Sequence, residues 1–256
     1  MVQLGPAIFA SGLFVGMVLM IELGRAVGVR RRARLMEGAS AGIGAVEAAV
    51  FALLGLLIAF TFQGAAARFD TRRALIVEEA NAIGTAWLRL DLLPPDAQPA
   101  LRESFRQYLD SRLETYRKVP DLVAVRAELQ NTARQQSEIW RRAVTALNSS
   151  DSKATMAVCP ALNAMFDIVT TRTMSAQTHP PAILFAMLAF LACAAAFLAG
   201  HGMGGSKVKS WVHVLGFAAV LSIVVYVIMD MEYPRVGFIR VDAFDQVLVD
   251  LRETMK

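Results

Sequence analysis

The sequence has few of the side chains that build metal centres or disulfide frameworks. Its 256 residues include only two cysteines and three histidines. Cys159 lies in a polar region and Cys193 in an apolar run, so a disulfide between them is not expected. The histidines have neither the spacing of metal ligands nor a neighbouring group of cysteines or carboxylates. We therefore predict no metal site.

Recognisable catalytic motifs are also missing. The chain contains no G-x-S-x-G, no phosphate-binding glycine loop, no H-E-x-x-H and no Cys/His pair. Glu78 and Glu79 are adjacent acids, but neighbouring residues of a helix point to different faces. We interpret this pair as part of a solvated or salt-bridged helix face, and we predict neither an enzyme nor a bound cofactor.

Charged residues are scarce and unevenly distributed. They make up 19% of the chain and concentrate in its middle third. The net charge of +4 comes mainly from arginines beside apolar runs, which favours contact with membrane lipid. No basic stripe is interleaved with aromatic residues, so nucleic acid is not a predicted partner.

Long hydrophobic runs are abundant instead. Hydrophobic residues make up 55% of the chain, and four charge-poor runs cover about 7–29, 42–63, 182–200 and 211–230. Twenty helical residues span roughly 30 Å, the thickness of the hydrocarbon core of a bilayer. The sequence therefore predicts an all-α integral membrane protein with four transmembrane helices in two hairpins.

A polar, helical region of residues 64–180 separates the hairpins. No stop signal follows residue 63, so the second membrane helix is predicted to continue to about residue 90. Apolar periodicity predicts further helices over 97–118, after the Pro120-Asp121 cap, and in a last segment that starts or kinks at Pro160. Residues 1–63 thus form the first hairpin, and 181–256 hold the second hairpin and an amphipathic tail helix.

Carboxylates near the hydrocarbon are the first candidates for a functional role, because charge there is costly and usually turned inward. They are Glu22, Glu47 and Asp230. Each also has a structural explanation. Glu22 can pair with Arg25, and Glu47 is favoured by its position at a helix N-terminus. Asp230 can end its helix at the membrane interface. We place Glu47 first because its helix is the one that we expect to line a pathway.

One face of the second helix is the other candidate. Ala52, Leu56 and Phe60 follow each other at intervals of four residues and share a stripe. If several copies surrounded an axis, the stripe would form apolar rings that gate ions by dewetting. Periodicity alone favours the simpler interpretation, in which these residues face lipid or pack against another helix.

Several motifs resemble those of bestrophins. Phe60 follows Ala59, Arg68 and Phe69 come eight residues later, and Arg73 follows. Bestrophins have a Gly-Phe pair, an Arg-Trp-Trp segment and a further arginine at the same interval. After the fourth helix, the run EYPRVG (residues 232–237) is similar to the bestrophin E-x-P-F-G turn. The whole chain resembles the bacterial bestrophin-like membrane proteins, most closely in the runs AFTFQGAAARFDTRRALIVEEANAIGTAWLRLDLLP, ALNAMFDIVTTR and HPPAIL.

The resemblance implies a pentameric ion channel whose second helices line an apolar neck. Ala52, Leu56 and Phe60 then fall at the neck, with Ala52 smaller than the usual residue. The residues expected at the pore entrance or beside the membrane are Glu47, Arg68, Arg72 and Arg73. Those of the turn after the fourth helix are Asp230, Glu232, Pro234 and Arg235, where Arg235 replaces a phenylalanine and one residue is inserted before Gly237.

Two departures from the bestrophin pattern limit which bestrophin properties are expected of this chain. The paired tryptophans are missing, and the acidic run that binds calcium in animal bestrophins is absent, with Asp242 and Asp245 too sparse to replace it. Calcium gating is not predicted. The leading hypothesis is a homo-oligomeric channel for small inorganic ions, and the alternative is a non-conducting membrane sensor or scaffold whose helical insertion binds a ligand or partner.

Orientation in the cell membrane is the least constrained prediction. Six basic residues lie beside the hairpin turns: Arg30, Arg31, Arg32, Arg34, Lys207 and Lys209. Six lie near the membrane on the other side: Arg68, Arg72, Arg73, Arg172, Arg235 and Arg240. Basic residues in short loops count more than those in long domains when orientation is assigned from charge. This rule places the polar insertion outside the cell by a narrow margin. The resemblance places it in the cytosol, and we follow the resemblance.

Overall fold

The computed structural model describes residues 5–32, 43–205 and 210–255. Within those ranges the chain is helical and contains no β-strand. The α-helices are α1 (Gly5–Arg32), α2 (Ile43–Arg89), α3 (Gln98–Arg117), α4 (Leu122–Leu147), α5 (Ser152–Gln177), α6 (Ala182–Met203), α7 (Trp211–Glu232) and α8 (Gln246–Thr254). Arg34, Lys207 and Lys209 lie outside the described residues, as does the basic connection before α2 up to residue 42.

In the described part of the chain, four segments are long and apolar enough to cross a membrane, which confirms the predicted architecture. They contain α1, α2, α6 and α7. The uninterrupted run of α2 over 47 residues also confirms that the second membrane helix continues into the polar region. No proline occurs within α2. Residues with high helix propensity continue beyond Arg68, so the helical hydrogen bonding is not interrupted there.

The chain divides into two compact units. The membrane unit comprises Met1–Ala67 and His179–Tyr233, and the polar unit comprises Arg68–Thr178 and Pro234–Lys256. Sequence analysis grouped the C-terminal tail with the second hairpin, whereas the structure places it in the polar unit. The reason is that Leu248 and Met255 of the tail are buried in that unit's core.

Close packing of α1 against α6 organises the membrane unit. Gly24 of α1 lies against the backbone of Phe197, and Gly200 of α6 lies against the backbone of Ile21. A Cβ atom at either position would overlap the facing carbonyl oxygen. Small residues thus let the two helices approach closely, as is common between helices in membranes. In addition, Phe51 of α2 contacts Phe217 of α7 edge to face, with ring centroids 6.1 Å apart.

The polar unit is built around the second half of α2, with α3, α4, α5 and α8. The predicted helix over 97–118 is confirmed as α3, and Asp121 caps α4 by accepting hydrogen bonds from the backbone of Val123 and Ala124. The prediction that α5 starts or kinks at Pro160 is wrong as to the start. The Asp151 side chain provides an earlier cap, and α5 runs through Pro160 from Ser152.

The predicted amphipathic helix of the tail is confirmed as the short helix α8. After α7 the chain makes a short 3-10 turn (Asp242–Asp245) and then α8. Arg106 of α3 donates a hydrogen bond from Nε to the Met255 carbonyl oxygen at 2.7 Å. Arg252 of α8 pairs with both carboxylate oxygens of Asp110, at 2.8 and 3.0 Å. These contacts attach the C-terminal helix to α3.

Candidate functional site

The predicted neck stripe on α2 is exposed along its whole length. Ala52 is exposed, Leu56 is 52% exposed and Phe60 is 68% exposed. Only 6% of the most apolar stretch of α2 is buried within the chain, against 28% for α1 and for α7. The described helices of one chain therefore leave this stripe uncovered, so in a membrane it faces lipid, another copy of the chain or a pore. Packing against another described helix of the same chain does not explain the pattern.

The charges predicted beside the membrane are in different environments. Glu47 and Arg68 are half-buried. Arg72 is buried in the polar unit, where Nε donates to the Ser175 carbonyl oxygen at 3.3 Å and Nη2 donates to that of Thr178 at 2.9 Å. Arg72 thus holds the C-terminal end of α5, where carbonyl groups lack helical partners.

Arg73 is engaged on the other side of the same helical turn. Its Nη1 pairs with Asp70 at 3.0 Å, and its guanidinium lies 4.2 Å from the centre of the Phe244 ring. This is the geometry of a cation–π contact. Arg72 and Arg73 therefore both have structural roles within the polar unit, and a role for either at a pore entrance stays a prediction.

The acids that end α7 are buried rather than exposed at an interface. Asp230 and Glu232 are each 1% exposed. Tyr226 donates a hydrogen bond to Asp230 at 3.1 Å, and Glu232 lies 3.7 Å from Nδ1 of His179. The His179 ring also contacts the Tyr233 ring at a tilt of 30°, with centroids 4.7 Å apart. These contacts tie the start of α6 to the end of α7.

The turn residues that follow belong to the polar unit. The buried Pro234 accepts a hydrogen bond from the Val241 backbone at 3.0 Å, which closes the turn. Arg235 donates to Asp245 at 2.7 and 2.9 Å and to Asp242 at 3.2 Å. Arg235, which stands where the bestrophin turn has a phenylalanine, thus pairs with Asp242 and Asp245. These are the two acids that were considered as replacements for the calcium-binding run of animal bestrophins. Among the described residues, no three His, Cys, Asp or Glu side chains converge as metal ligands.

A buried ionic network lies at the centre of the polar unit, and sequence analysis did not identify it. We call it the Glu79 cluster: Glu79 of α2, Arg112 and Tyr116 of α3, Arg172 of α5, and Arg235. Glu79 is 0%, Arg112 1% and Arg172 7% exposed. Arg112 Nε donates to Glu79 Oε1 at 2.5 Å, while Arg172 Nη1 and the Tyr116 hydroxyl donate to Oε2. Burying these charges is tolerable only because they are paired and hydrogen-bonded.

The Tyr116 ring is surrounded by three guanidinium groups of this cluster. The centres of the Arg172, Arg235 and Arg112 guanidiniums lie 4.0, 4.5 and 5.1 Å from the ring centre. Its hydroxyl also accepts a hydrogen bond from Nη2 of Arg112. Burial, followed by the Glu79 carboxylate, raises the pKa of Tyr116 to about 12, so the phenol stays neutral and stays a donor at physiological pH.

The sequence did contain a signal for Glu79. Ile76 and Ile83 precede and follow it by three and four residues, so Glu79 falls on the apolar stripe of α2. Glu78 falls on a different, exposed face. The expectation that the two acids point to different faces is therefore confirmed, and the salt-bridged alternative applies to Glu79. The distance of 93 residues between Glu79 and Arg172 hid the partner.

Comparison with known proteins identifies the family. A family model described as the Bestrophin-like domain matches residues 12–243, which cover most of α1, all of α2, α6 and α7, and most of the polar unit. The chain belongs to the bestrophin-like family. No curated protein and no solved structure matches it significantly. Family membership and the four apolar helices make this bestrophin-like chain a multi-pass membrane protein.

Proposed function

We propose that the protein is a homo-oligomeric ion channel whose pore is lined by α2. The single observation that carries the proposal is the exposure of the most apolar stretch of α2, of which only 6% is buried within the chain. A helix that its own chain leaves uncovered is available to line an axis shared by several copies. Membership in the bestrophin-like family, which contains many ion channels, supports the same role.

The neck consists of the stripe formed by Ala52, Leu56 and Phe60. In a ring of copies, Leu56 and Phe60 form two successive apolar constrictions, which gate ions by dewetting. Ala52 leaves the pore wider at its own level. Gln63 continues the face one turn beyond Phe60 and is exposed. An exposed amide is better solvated by water than by hydrocarbon, which favours an aqueous pathway along this face over a lipid-facing one.

The remaining features of the proposal rest on the family resemblance. The oligomer is a pentamer, the conducted species are small inorganic ions, and the polar unit lies on the cytoplasmic side of the cell membrane. Bestrophin-like proteins are channels or membrane proteins rather than enzymes, and we propose no catalytic activity. Calcium gating is not part of the proposal, because Asp242 and Asp245 pair with Arg235.

Flux through reconstituted protein tests the proposal. We expect a stable oligomer in detergent and ion flux in liposomes, measured with cation-sensitive and anion-sensitive dyes. Phe60→Ala and Leu56→Ala widen the neck and should raise the flux or change its selectivity. Ile223→Ala is the matched control, since Ile223 of α7 is 60% exposed but lies outside the stripe. A monomer without flux contradicts the channel, and flux unchanged by both stripe variants contradicts the neck.

A cleft in the polar unit favours the alternative, a non-conducting sensor or scaffold. Its volume is about 670 Å³, and its lining includes Gln107, Ser111, Asn131, Gln135 and Arg252. Such a size is within the range of small-molecule sites, and the polar lining suits a polar ligand. A small polar compound that raises the melting temperature of the full-length protein, in preparations that conduct no ions, would favour this function over the channel.

A further inference from the structure

Glu78 is an exposed acid next to the buried Glu79 on α2. No hydrogen bond, ion pair or electrostatic contact links it to any residue that the structure describes. Glu79 is held in the core of the polar unit by Arg112 and Arg172. Because consecutive residues of a helix point to different faces, this anchoring turns Glu78 away from that core. An unpaired carboxylate therefore lies on the outer face of α2.

The exposed face of α2 continues from the neck stripe into the polar part of the helix. After Phe60, exposed residues recur at every third or fourth position: Gln63, Ala67, Asp70, Ala74, Glu78 and Asn81. Glu78 follows Phe60 by about five complete helical turns, roughly 27 Å along the axis, so the two side chains lie on the same side of the helix. Copies that turn Phe60 towards a shared axis therefore turn Glu78 towards it as well.

Within the described helix α2, this face carries exposed acids and no exposed base. Beyond Phe60, the exposed charged residues of α2 are Asp70 and Glu78. The arginines of the same stretch are buried or half-buried: Arg68, Arg72, Arg73 and Arg89. Arg73 pairs with Asp70 at 3.0 Å, which offsets the charge of that acid. Glu78 has no such partner, so it gives the face a net negative charge.

We propose that Glu78 makes the channel selective for small inorganic cations. The inference rests on the proposed function, because only a ring of copies around α2 brings the Glu78 side chains together as a ring of carboxylates. A passage lined by one sign of charge concentrates ions of the opposite sign, so such a ring attracts cations and repels anions. The apolar neck at Leu56 and Phe60 controls whether ions pass, and Glu78 determines the sign of the ions that do.

Reversal potentials of the full-length protein in lipid bilayers, measured under a potassium chloride gradient, test this role. We expect the wild type to prefer potassium to chloride. In Glu78→Gln the permeability ratio of potassium to chloride should fall by roughly tenfold at low ionic strength, the lower limit of the enrichment that a charged cleft produces. Glu78→Asp keeps the charge and should keep the preference. Asp167→Asn is the matched control, since it removes an exposed carboxylate from α5, and it should leave the ratio unchanged.

Restoring the charge at the same position provides a second measurement. Cys159→Ala and Cys193→Ala remove both native thiols, and Glu78→Cys then introduces a single new one. A thiol reagent that carries a sulfonate should restore the preference for potassium, whereas one that carries an ammonium group should shift the preference towards chloride. A wild type that prefers chloride, a ratio unchanged in Glu78→Gln, or equal responses to the two reagents would overturn the role of Glu78 and leave the channel standing. Absence of any flux would contradict the channel itself, and this inference with it.

Discussion

Glu79 of α2 accepts a hydrogen bond from Nε of Arg112 of α3 at 2.5 Å, and neither side chain is more than 1% exposed. Arg172 of α5 donates to the same carboxylate. One acid therefore connects three helices of the polar unit. Removing a partner from a buried ion pair leaves an uncompensated charge, which is far more costly than the pair itself is stabilising.

Glu79→Gln should accordingly lower the free energy of unfolding by about 3–5 kcal/mol, because Arg112 and Arg172 lose their shared counter-charge. Glu78→Gln is the matched control at the adjacent, exposed position and should change it by less than about 0.5 kcal/mol. Denaturant unfolding of the full-length protein, followed by tryptophan fluorescence, measures both. Equal effects of the two variants would show that the buried network is not a source of stability.

Acid should destabilise the polar unit through Glu128 of α4. Burial alone raises the pKa of Glu128, but hydrogen bonds from Asn131, Lys118 and Ser111 outweigh burial and lower that pKa to about 2. The pKa of the unfolded state is the ordinary 4.5. The stabilisation from Glu128 is therefore complete above pH 4.5 and is lost as the pH falls towards 2.

In a Glu128→Gln variant, the melting temperature should therefore fall less steeply than in the wild type as the pH is lowered. Between pH 4.5 and 2 the wild type takes up about one more proton on unfolding than the variant. Melting temperatures recorded across this range measure the difference in slope. Glu114→Gln removes a more exposed carboxylate, 46% exposed, from the facing helix α3 and should leave the slope near that of the wild type. Parallel wild-type and Glu128→Gln curves would contradict the assignment.

Gly200→Ala should destabilise the membrane unit. The added Cβ would overlap the carbonyl oxygen of Ile21, and backbone atoms cannot move aside as a flexible side chain can. Overpacking of this kind costs about 1–3 kcal/mol. Gly216→Ala on α7 is the control, since nothing lies within 4 Å of its new Cβ. Thermal melting in detergent compares the two. A Gly200→Ala protein as stable as the wild type would mean that α1 and α6 pack less closely than described.

Leu248→Ala should loosen the C-terminal helix from α3. Leu248 is 0% exposed, and truncating a buried leucine costs about 2–5 kcal/mol. We expect a lower melting temperature and faster proteolytic removal of α8. Phe238→Ala, at a position that is 88% exposed, should leave both unchanged. If the two variants behave alike, burial of the tail in the polar unit does not contribute to its stability.

The sequence by itself determined the membrane architecture. Four runs without strong charge clusters must become helices in a bilayer, because only internal hydrogen bonding satisfies the backbone there. The continuity of α2 followed from the absence of any stop between Gln63 and Arg89. Local signals also located the Asp121 cap of α4 and the short tail helix, but α5 begins at Ser152 and not at Pro160. The runs that resemble bacterial bestrophin-like proteins predicted the family, which the match over residues 12–243 confirms.

The tertiary structure alone decided which charges are buried together. Glu79, Arg112 and Arg172 come from three helices far apart in the chain, and no local pattern states which arginine meets which acid. It also decided that the stripe of Ala52, Leu56 and Phe60 is uncovered, because periodicity defines a helix face but not what lies against it. Local propensity and hydrophobic period are properties of a segment, whereas partnership between buried groups depends on how segments pack.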